Sequence, residues 1–323
     1  MSFAAKLKRW QRRHGRHGLP WQGTRDPYRI WLSEVMLQQT QVYAVIPYYQ
    51  RFLAKYPTVS ALAAASEDEV LQLWSGLGYY ARGRNLHKAA RQICRHGFPD
   101  SVEKIAELPG VGRSTAAAIA VFAYGERAAI LDANARRVLA RVYGISDQGE
   151  LWTRAERVLP KRGVETYTQA LMDLGATVCT RNPQCGGCPV RERCVARSTG
   201  RIDTLPARRP KKPLPEKRVN WFIYRDGSKV LLQRRPSPGI WGGLLCFPET
   251  GNGLGRKRRL PPIEHGFTHF RLRIQPLLCD TKPTARGEWI DTRKAAAAAV
   301  PTPVRRLLQD LPRIATRRSG GRR

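Results

Sequence analysis

The chain of 323 residues carries 57 Lys and Arg against 25 Asp and Glu, a formal net charge of +32. Its 42% hydrophobic residues and eight Trp exclude a wholly disordered basic tail, and its length allows two domains or one large one. No run of 18 uncharged apolar residues occurs, and Lys6, Lys8, Arg9, Arg12 and Arg13 interrupt Met1–Trp21, so a cytoplasmic protein without a membrane span or secretory signal is expected.

From Lys6 to about Ala196, apolar residues recur at three- and four-residue spacing. Helices are predicted over Pro27–Tyr43, Val59–Trp74, Ala81–Arg95, Ser114–Ala123 and Asn134–Tyr143, with turns at 76–78, 98–100, 109–112 and 125. This reads as an all-α domain over residues 1–200. Residues 201–218 interleave Pro206, Pro210, Pro213 and Pro215 with Arg and Lys, the composition of a basic linker. Beyond it, Val219–Tyr224 and Lys229–Gln233 flank Arg225-Asp226-Gly227-Ser228 as a predicted hairpin. Further strands are predicted at Phe267–Ile274 and Glu288–Asp291, and a closing helix at Pro303–Leu311. Residues 219–314 thus read as a small α+β domain, and 315–323 as a frayed basic tail.

Positive charge is present in both parts. Residues 201–323 hold 28 basic against 9 acidic side chains, and residues 1–200 hold 29 against 16. A polyanion partner is implied, nucleic acid being the commonest.

Four of the seven cysteines follow the spacing Cys179-x5-Cys185-x2-Cys188-x5-Cys194, a metal-site signal. Zinc sites typically pair two Cys-x2-Cys knuckles, whereas one compact loop with four thiolates suits a 4Fe-4S cluster better. Arg181, Arg191, Arg193 and Arg197 form a basic collar that can offset cluster charge or meet phosphates. Cys94, Cys246 and Cys279 read as buried small hydrophobes. Upstream, Leu108-Pro109-Gly110-Val111-Gly112 before the helix from Ser114 is a helix-hairpin-helix signature. Its glycines allow a tight turn, and amides at the following helix start can hold a phosphate without reading a base.

The order of hairpin, Leu131-Asp132-Ala133-Asn134 and four-cysteine loop resembles the endonuclease III superfamily of base-excision glycosylases. Within that superfamily, Leu19-Pro20-Trp21, the run Trp31 to Val42 and Gly76-Leu77-Gly78-Tyr79-Tyr80-Ala81-Arg82 resemble the adenine DNA glycosylase (MutY) family. The resemblance covers essentially the whole chain. It implies that Glu34 protonates adenine N7 and then helps to activate water, while Asp132 stabilises the sugar cation. Two carboxylates in different environments are what glycosidic cleavage needs. Glu34 lies among Trp31 and Val35–Leu37, where desolvation can keep its proton near neutral pH. Asp132 also reads as a helix N-cap.

Further roles follow from the resemblance. Ser114 stands where bifunctional relatives carry a Schiff-base lysine, which implies a monofunctional glycosylase. Gln39 and Tyr79 are the side chains that fill the helix beside an extruded base, and Gln169 maps near the adenine pocket. The implied second domain is Nudix-like. Trp241–Pro248 and Phe267-Thr268-His269-Phe270 match its stretches, Thr268 and His269 sense 8-oxoguanine, and Gly251–Leu260 lacks the Glu-rich helix of a hydrolase.

The implied partner is double-stranded DNA with 8-oxoguanine:A or G:A mispairs, bound by a monomer, with no membrane partner. Four departures from the family pattern stand out: Ala133 for Gly, Thr268 for Ser, x5 for x6 after Cys179, and a short, basic, Gly-rich stretch between Pro248 and His265.

Overall fold

The computed structural model describes residues 1–207, 213–237, 239–251, 255–281, 283, 286–293 and 298–316, with side chains to Leu311. The helices in chain order are α1 (Phe3–His14), α2 (Pro27–Leu37), α3 (Val42–Lys55), α4 (Val59–Ala64), α5 (Glu67–Trp74), α6 (Tyr80–His96), α7 (Val102–Ala106), α8 (Arg113–Tyr124), α9 (Ala133–Tyr143), α10 (Gln148–Arg157), α11 (Val164–Thr177), α12 (Val195–Ser198) and α13 (Thr302–Thr316). The strands are β1 (Glu216–Ile223), β2 (Arg225–Asp226), β3 (Lys229–Arg234), β4 (Leu245–Cys246), β5 (Lys257–Arg259), β6 (Ile263–Gly266), β7 (Arg271–Cys279) and β8 (Glu288–Asp291). An all-α part followed by an α+β part is the architecture the periodicities predict. No helix among the described residues is long and apolar enough to cross a membrane.

Contacts divide the chain into one unit of residues 1–64 and 85–210 and another of 65–84 and 211–323. In the first, α1, α8, α9, α10 and α11 converge on Leu7, Trp10, Ala117, Val121, Val138, Leu139, Leu151, Tyr167, Leu171 and Leu174. Their close packing depends on small residues at the crossings. A Cβ added at Gly175 would lie 2.6 Å from Asn134 Cβ, so glycine lets α11 approach the start of α9.

Two predicted helices are each two. Pro27–Tyr43 breaks after Leu37, where Gln39 takes a left-handed φ of 56° before α3 resumes at Val42. Val59–Trp74 breaks before Ser66, which starts α5 with a reciprocal cap: its hydroxyl accepts from the Glu69 amide at 3.2 Å, and Glu69 Oε2 accepts from the Ser66 amide at 2.9 Å. Cys94 is exposed, not buried as predicted, because the inward stripe of α6 runs through Leu86, Ala89, Ala90 and Ile93.

In the second unit, β7 is flanked by β1, in parallel, and by β5 and β6, both antiparallel. The other sheet is built on β3, which pairs antiparallel with β2, β4 and β8. The hairpin predicted around Gly227 exists only at its tip, Arg225 opposite Val230 and Asp226 opposite Lys229. Before Tyr224 the chain instead belongs to the other sheet as β1, with Val219 opposite Ile274. That strand begins at Glu216, inside the predicted linker. The strand predicted at Phe267–Ile274 starts only at Arg271, because residues 267–270 form a turn closed by the Phe267 amide on the Phe270 carbonyl at 2.9 Å. Much of the Ala295–Ala299 run and the tail from 317 lie outside the described residues.

Candidate active site

Helix α2 starts on Asp26, whose carboxylate accepts from the Tyr28 amide at 2.9 Å, with Pro27 in the first turn. Seven of the eleven α2 residues are buried, including Ile30, Trp31, Leu32, Val35 and Met36. Glu34 is the acidic exception. It borders a cavity of about 950 Å³ that is also lined by Arg16, His17, Trp21 and Gln169. Burial raises its pKa from 4.5 to about 8, and the negative charge of Asp132 pushes in the same direction.

Asp132 is the N-cap of α9, its Oδ1 accepting from the Ala135 amide at 2.8 Å. Burial also raises its pKa, opposed by the amides of Ala135 and Asn134 and by the guanidinium groups of Arg137 and Arg16. Glu34 therefore feels the charge of Asp132, and the two carboxyls lie in different settings. Glu34 meets its cavity from a largely apolar helix, whereas Asp132 is supplied with donors and cations. Ser114, in the first turn of α8, is tied to the residue before Asp132, its hydroxyl accepting from the Leu131 amide at 3.0 Å.

The hairpin lies between α7 and α8. The Val111 amide donates to the Leu108 carbonyl at 3.0 Å, and Gly110 has φ +80°. A Cβ on Gly110 would approach Asn85 Cβ to 2.9 Å, so both conformation and space call for glycine. Gly112 is the extended N-cap of α8 with nothing within 4 Å of the Cβ position, which leaves the helix start accessible. Gln38 Nε2 reaches the Gly110 carbonyl at 3.2 Å and Thr115 Oγ1 at 3.3 Å. It ties the end of α2 to the hairpin. Gln39 is exposed in its left-handed conformation. Tyr79, also left-handed at φ 50°, is 46% exposed.

Cys179, Cys185, Cys188 and Cys194 line one small cavity together with Val138, Leu174 and Val190. Among the described residues, no three His, Cys, Asp or Glu side chains close on one point as ligands of a single ion. Arg191 and Arg197 of the basic collar also line this cavity.

Sequence reasoning missed the side chains that build these sites from a distance. Arg141 is buried. It donates to Cys179 Sγ at 3.5 Å, to the Thr180 carbonyl at 2.6 Å and to the Ile202 and Leu205 carbonyls at 3.1 and 3.0 Å, while the Cys194 thiol donates to the Arg141 carbonyl at 3.4 Å. Asp173 is fully buried and accepts from Arg16 Nε at 2.7 Å, the Arg16 amide at 2.9 Å and Gln169 Nε2 at 2.9 Å. The Gln169 amide group is thereby oriented by Asp173, to which it donates. The i, i+4 spacings Arg137/Arg141 and Gln169/Asp173 were available as signals; nothing local marks Arg16 or Asn85.

In the second unit, Thr268 and His269 are exposed on the 267–270 turn, with Thr268 Oγ1 3.4 Å from His269 Nδ1. Aromatic rings support the turn. Phe267 stacks on Phe270 at 4.4 Å between centroids and lies 5.5 Å from Trp241.

Residues 32–161 match the HhH-GPD superfamily of base excision DNA repair proteins, and residues 220–310 match the NUDIX domain. The structure of a thermostable thymine-DNA glycosylase superposes with TM-score 0.57 and 30% identity, covering 61% of this chain and 95% of that one. A non-covalent endonuclease III–DNA complex shares the fold, with TM-score 0.54, 23% identity and coverage of 61% and 94%. Together with the hairpin and the carboxyl pair, these define a DNA glycosylase of the helix-hairpin-helix class. The adenine DNA glycosylase of Buchnera aphidicola subsp. Acyrthosiphon pisum is 33% identical across 95% of this chain and 97% of its own, and the Mus musculus adenine DNA glycosylase is 41% identical across 95% and 77%. The chain belongs to the adenine DNA glycosylase (MutY) family.

Proposed function

We propose that the chain is a monofunctional glycosylase that removes adenine mispaired with 8-oxoguanine or guanine in duplex DNA, acting as a monomer. The observation that carries this reading is the carboxyl pair. Glu34 still holds its proton near neutral pH beside a cavity, and its charge is coupled to Asp132. In the reaction, the Glu34 carboxyl gives its proton to adenine N7, and the C1′–N9 bond breaks with its electron pair going to the base. The Asp132 carboxylate stabilises the sugar cation. Water then adds at C1′ and returns a proton to Glu34, which leaves an abasic site and neutral adenine. Gln169, oriented by Asp173, borders the same cavity as a base-recognition group.

The hydroxyl at Ser114 cannot form the Schiff base that strand cleavage requires, which supports hydrolysis alone. Thr268 and His269 are assigned to the 8-oxoguanine, Gln39 and Tyr79 to the gap beside the extruded adenine, and Gly110, Val111, Gly112 and Ser114 to the strand backbone. The division of labour follows the domains: catalysis in 1–200, a linker over 201–218, lesion recognition in 219–314 and a basic tail. Cys179, Cys185, Cys188 and Cys194 are the ligands for a 4Fe-4S cluster, which when bound supplies four Fe–S bonds that hold the 179–194 loop. Arg141 braces that loop from within.

The test is a single-turnover assay on labelled duplexes containing 8-oxoguanine:A, G:A or C:A, read with and without hot alkali. Cleavage of the A strand only after alkali, fastest opposite 8-oxoguanine, is expected. Strand cleavage without alkali would overturn monofunctionality, and equal rates opposite all three bases would overturn the assignment of Thr268 and His269. For the cluster, protein purified without oxygen should be brown and contain iron; stoichiometric zinc with no iron would refute it.

A further inference from the structure

The unit that contains the two sheets also contains residues 65–84, and with them the loop from Ser75 to Tyr80 that presents Tyr79. This loop is conformationally expensive. Gly76 and Gly78 have φ of 100° and 78°, and Tyr79 takes a left-handed φ of 50° that a side chain disfavours. Local contacts account for part of its shape. Trp74 Nε1 donates to the Gly78 carbonyl at 3.0 Å, and the Arg82 guanidinium lies 5.2 Å from the Tyr79 ring centroid and 5.4 Å from that of Trp74.

The two ends of the loop are fixed elsewhere, at one point. Ser75 Oγ donates to the Val300 carbonyl at 2.9 Å, and the Tyr80 hydroxyl reaches the same carbonyl at 3.5 Å. Val300 is fully buried just before α13. From the first turn of α13, Arg305 Nη2 donates to Ser75 Oγ at 2.7 Å and to the Ala298 carbonyl at 3.2 Å. Ser75 thus accepts a charge-assisted hydrogen bond while donating its own proton to Val300, and the Gly76 amide donates to the Tyr80 hydroxyl at 3.4 Å.

We infer that Arg305 and Ser75 are positioning residues for Tyr79: they clamp the Ser75 end of its loop to residues 298–305, where the Tyr80 hydroxyl holds the other end, so that the part of the chain assigned to lesion recognition sets the wedge that accompanies base extrusion. This rests on the reading of Tyr79 as a wedge. Neither residue is assigned contact with DNA or with the reacting atoms. A relaxed clamp lets the loop sample conformations in which Tyr79 is misdirected, which lowers the fraction of productive complexes and leaves the chemical groups intact.

The experiment is a double-mutant cycle in the full-length protein. Arg305→Met keeps the aliphatic stem and removes the donor; Ser75→Ala removes the hydroxyl. Each is made with Tyr79 present and in the Tyr79→Ala background, and read as single-turnover adenine release and as duplex affinity by fluorescence anisotropy. With Tyr79 present, each variant should lose about tenfold, the weight of one charge-assisted hydrogen bond, and in Tyr79→Ala it should lose less than about twofold. Arg305→Lys should recover part of the loss. Without DNA, amide hydrogen exchange in the peptide spanning 75–80 should quicken in both variants.

The same loss in both backgrounds, or unchanged exchange at 75–80, overturns the inference. If the unsubstituted protein binds the duplex but releases no adenine, the glycosylase reading fails while the affinity cycle still decides the clamp. If Tyr79→Ala itself changes neither rate nor affinity, the clamp has no wedge to position and the inference falls.

Discussion

Glu34 and Asp132 carry the same functional group, and their surroundings separate them. Glu34 sits on a largely apolar helix, seven of whose eleven residues are buried, whereas Asp132 is met by amides and guanidinium groups. The raised pKa of Glu34 has opposite consequences for activity and stability. A carboxyl whose folded pKa exceeds its unfolded value binds its proton more tightly in the folded chain. Folding is therefore unpenalised below the unfolded value and increasingly penalised as pH rises from 4.5 through about 8. Glu34→Gln should abolish adenine release, by at least about 100-fold, while duplex affinity persists. The same variant should melt higher than the parent at pH about 8.5 and nearly equal to it at pH about 4. Identical melting differences at both pH values would show that Glu34 is not protonated by its surroundings. In the unsubstituted protein, single-turnover release should fall as pH rises through about 8.

At the scale of elements, the hairpin was readable because glycine is the one residue whose identity reports backbone conformation directly. Gly110 has φ +80° and abuts Asn85 on α6, so Gly110→Ala should cost about 1–3 kcal/mol and weaken duplex binding. Chemical denaturation and anisotropy would check this, and an unperturbed variant would mean the turn tolerates a side chain. The break between α2 and α3 was not readable. Gln39 and its neighbours carry no turn signal, and the helical periodicity runs straight through them, so only the tertiary fold imposes the left-handed residue. Turn 267–270 is a similar case. It runs without a Gly, Pro, Asn or Asp into the alternating residues 270–274 and so reads as their strand, but ring stacking of Phe267 on Phe270 and a backbone hydrogen bond close it into a loop.

At the scale of the molecule, residues 65–84 belong by contacts with 211–323. Arg234 grips Asp68 with both terminal nitrogens, at 2.6 and 2.8 Å, and Arg84 donates to the Gly242 carbonyl at 2.5 Å. A chain truncated after Ala207 should therefore be more than an independent catalytic half with a piece removed. It should melt at least about 4 °C below the full chain and show new proteolytic cleavage within 65–84. Unchanged melting and cleavage would show that the segment stands without its partners. The large positive charge adds a further whole-molecule term, since each phosphate neutralised releases counterions and makes binding steeply dependent on salt.

The sequence by itself determined the class of fold; by pattern it pointed to the hairpin and the four-cysteine loop, and through the family resemblance to the two carboxyls. Periodicity, glycine positions and cysteine spacing are local properties that survive without coordinates. It also marked Ser114, because one residue type at one position decides whether an amine is available. The apolar run around Glu34 already suggested its desolvation, but only the tertiary structure brought the Asp132 charge to bear on it and set Arg16 and Arg137 against the burial of Asp132, because such effects depend on what surrounds a group in space. The same holds for Arg141 inside the cysteine loop, for Arg16 and Asp173 behind Gln169, and for Arg305 under the Tyr79 loop. Each acts through hydrogen bonds between residues distant in sequence, and such partners are chosen by packing, not by pattern.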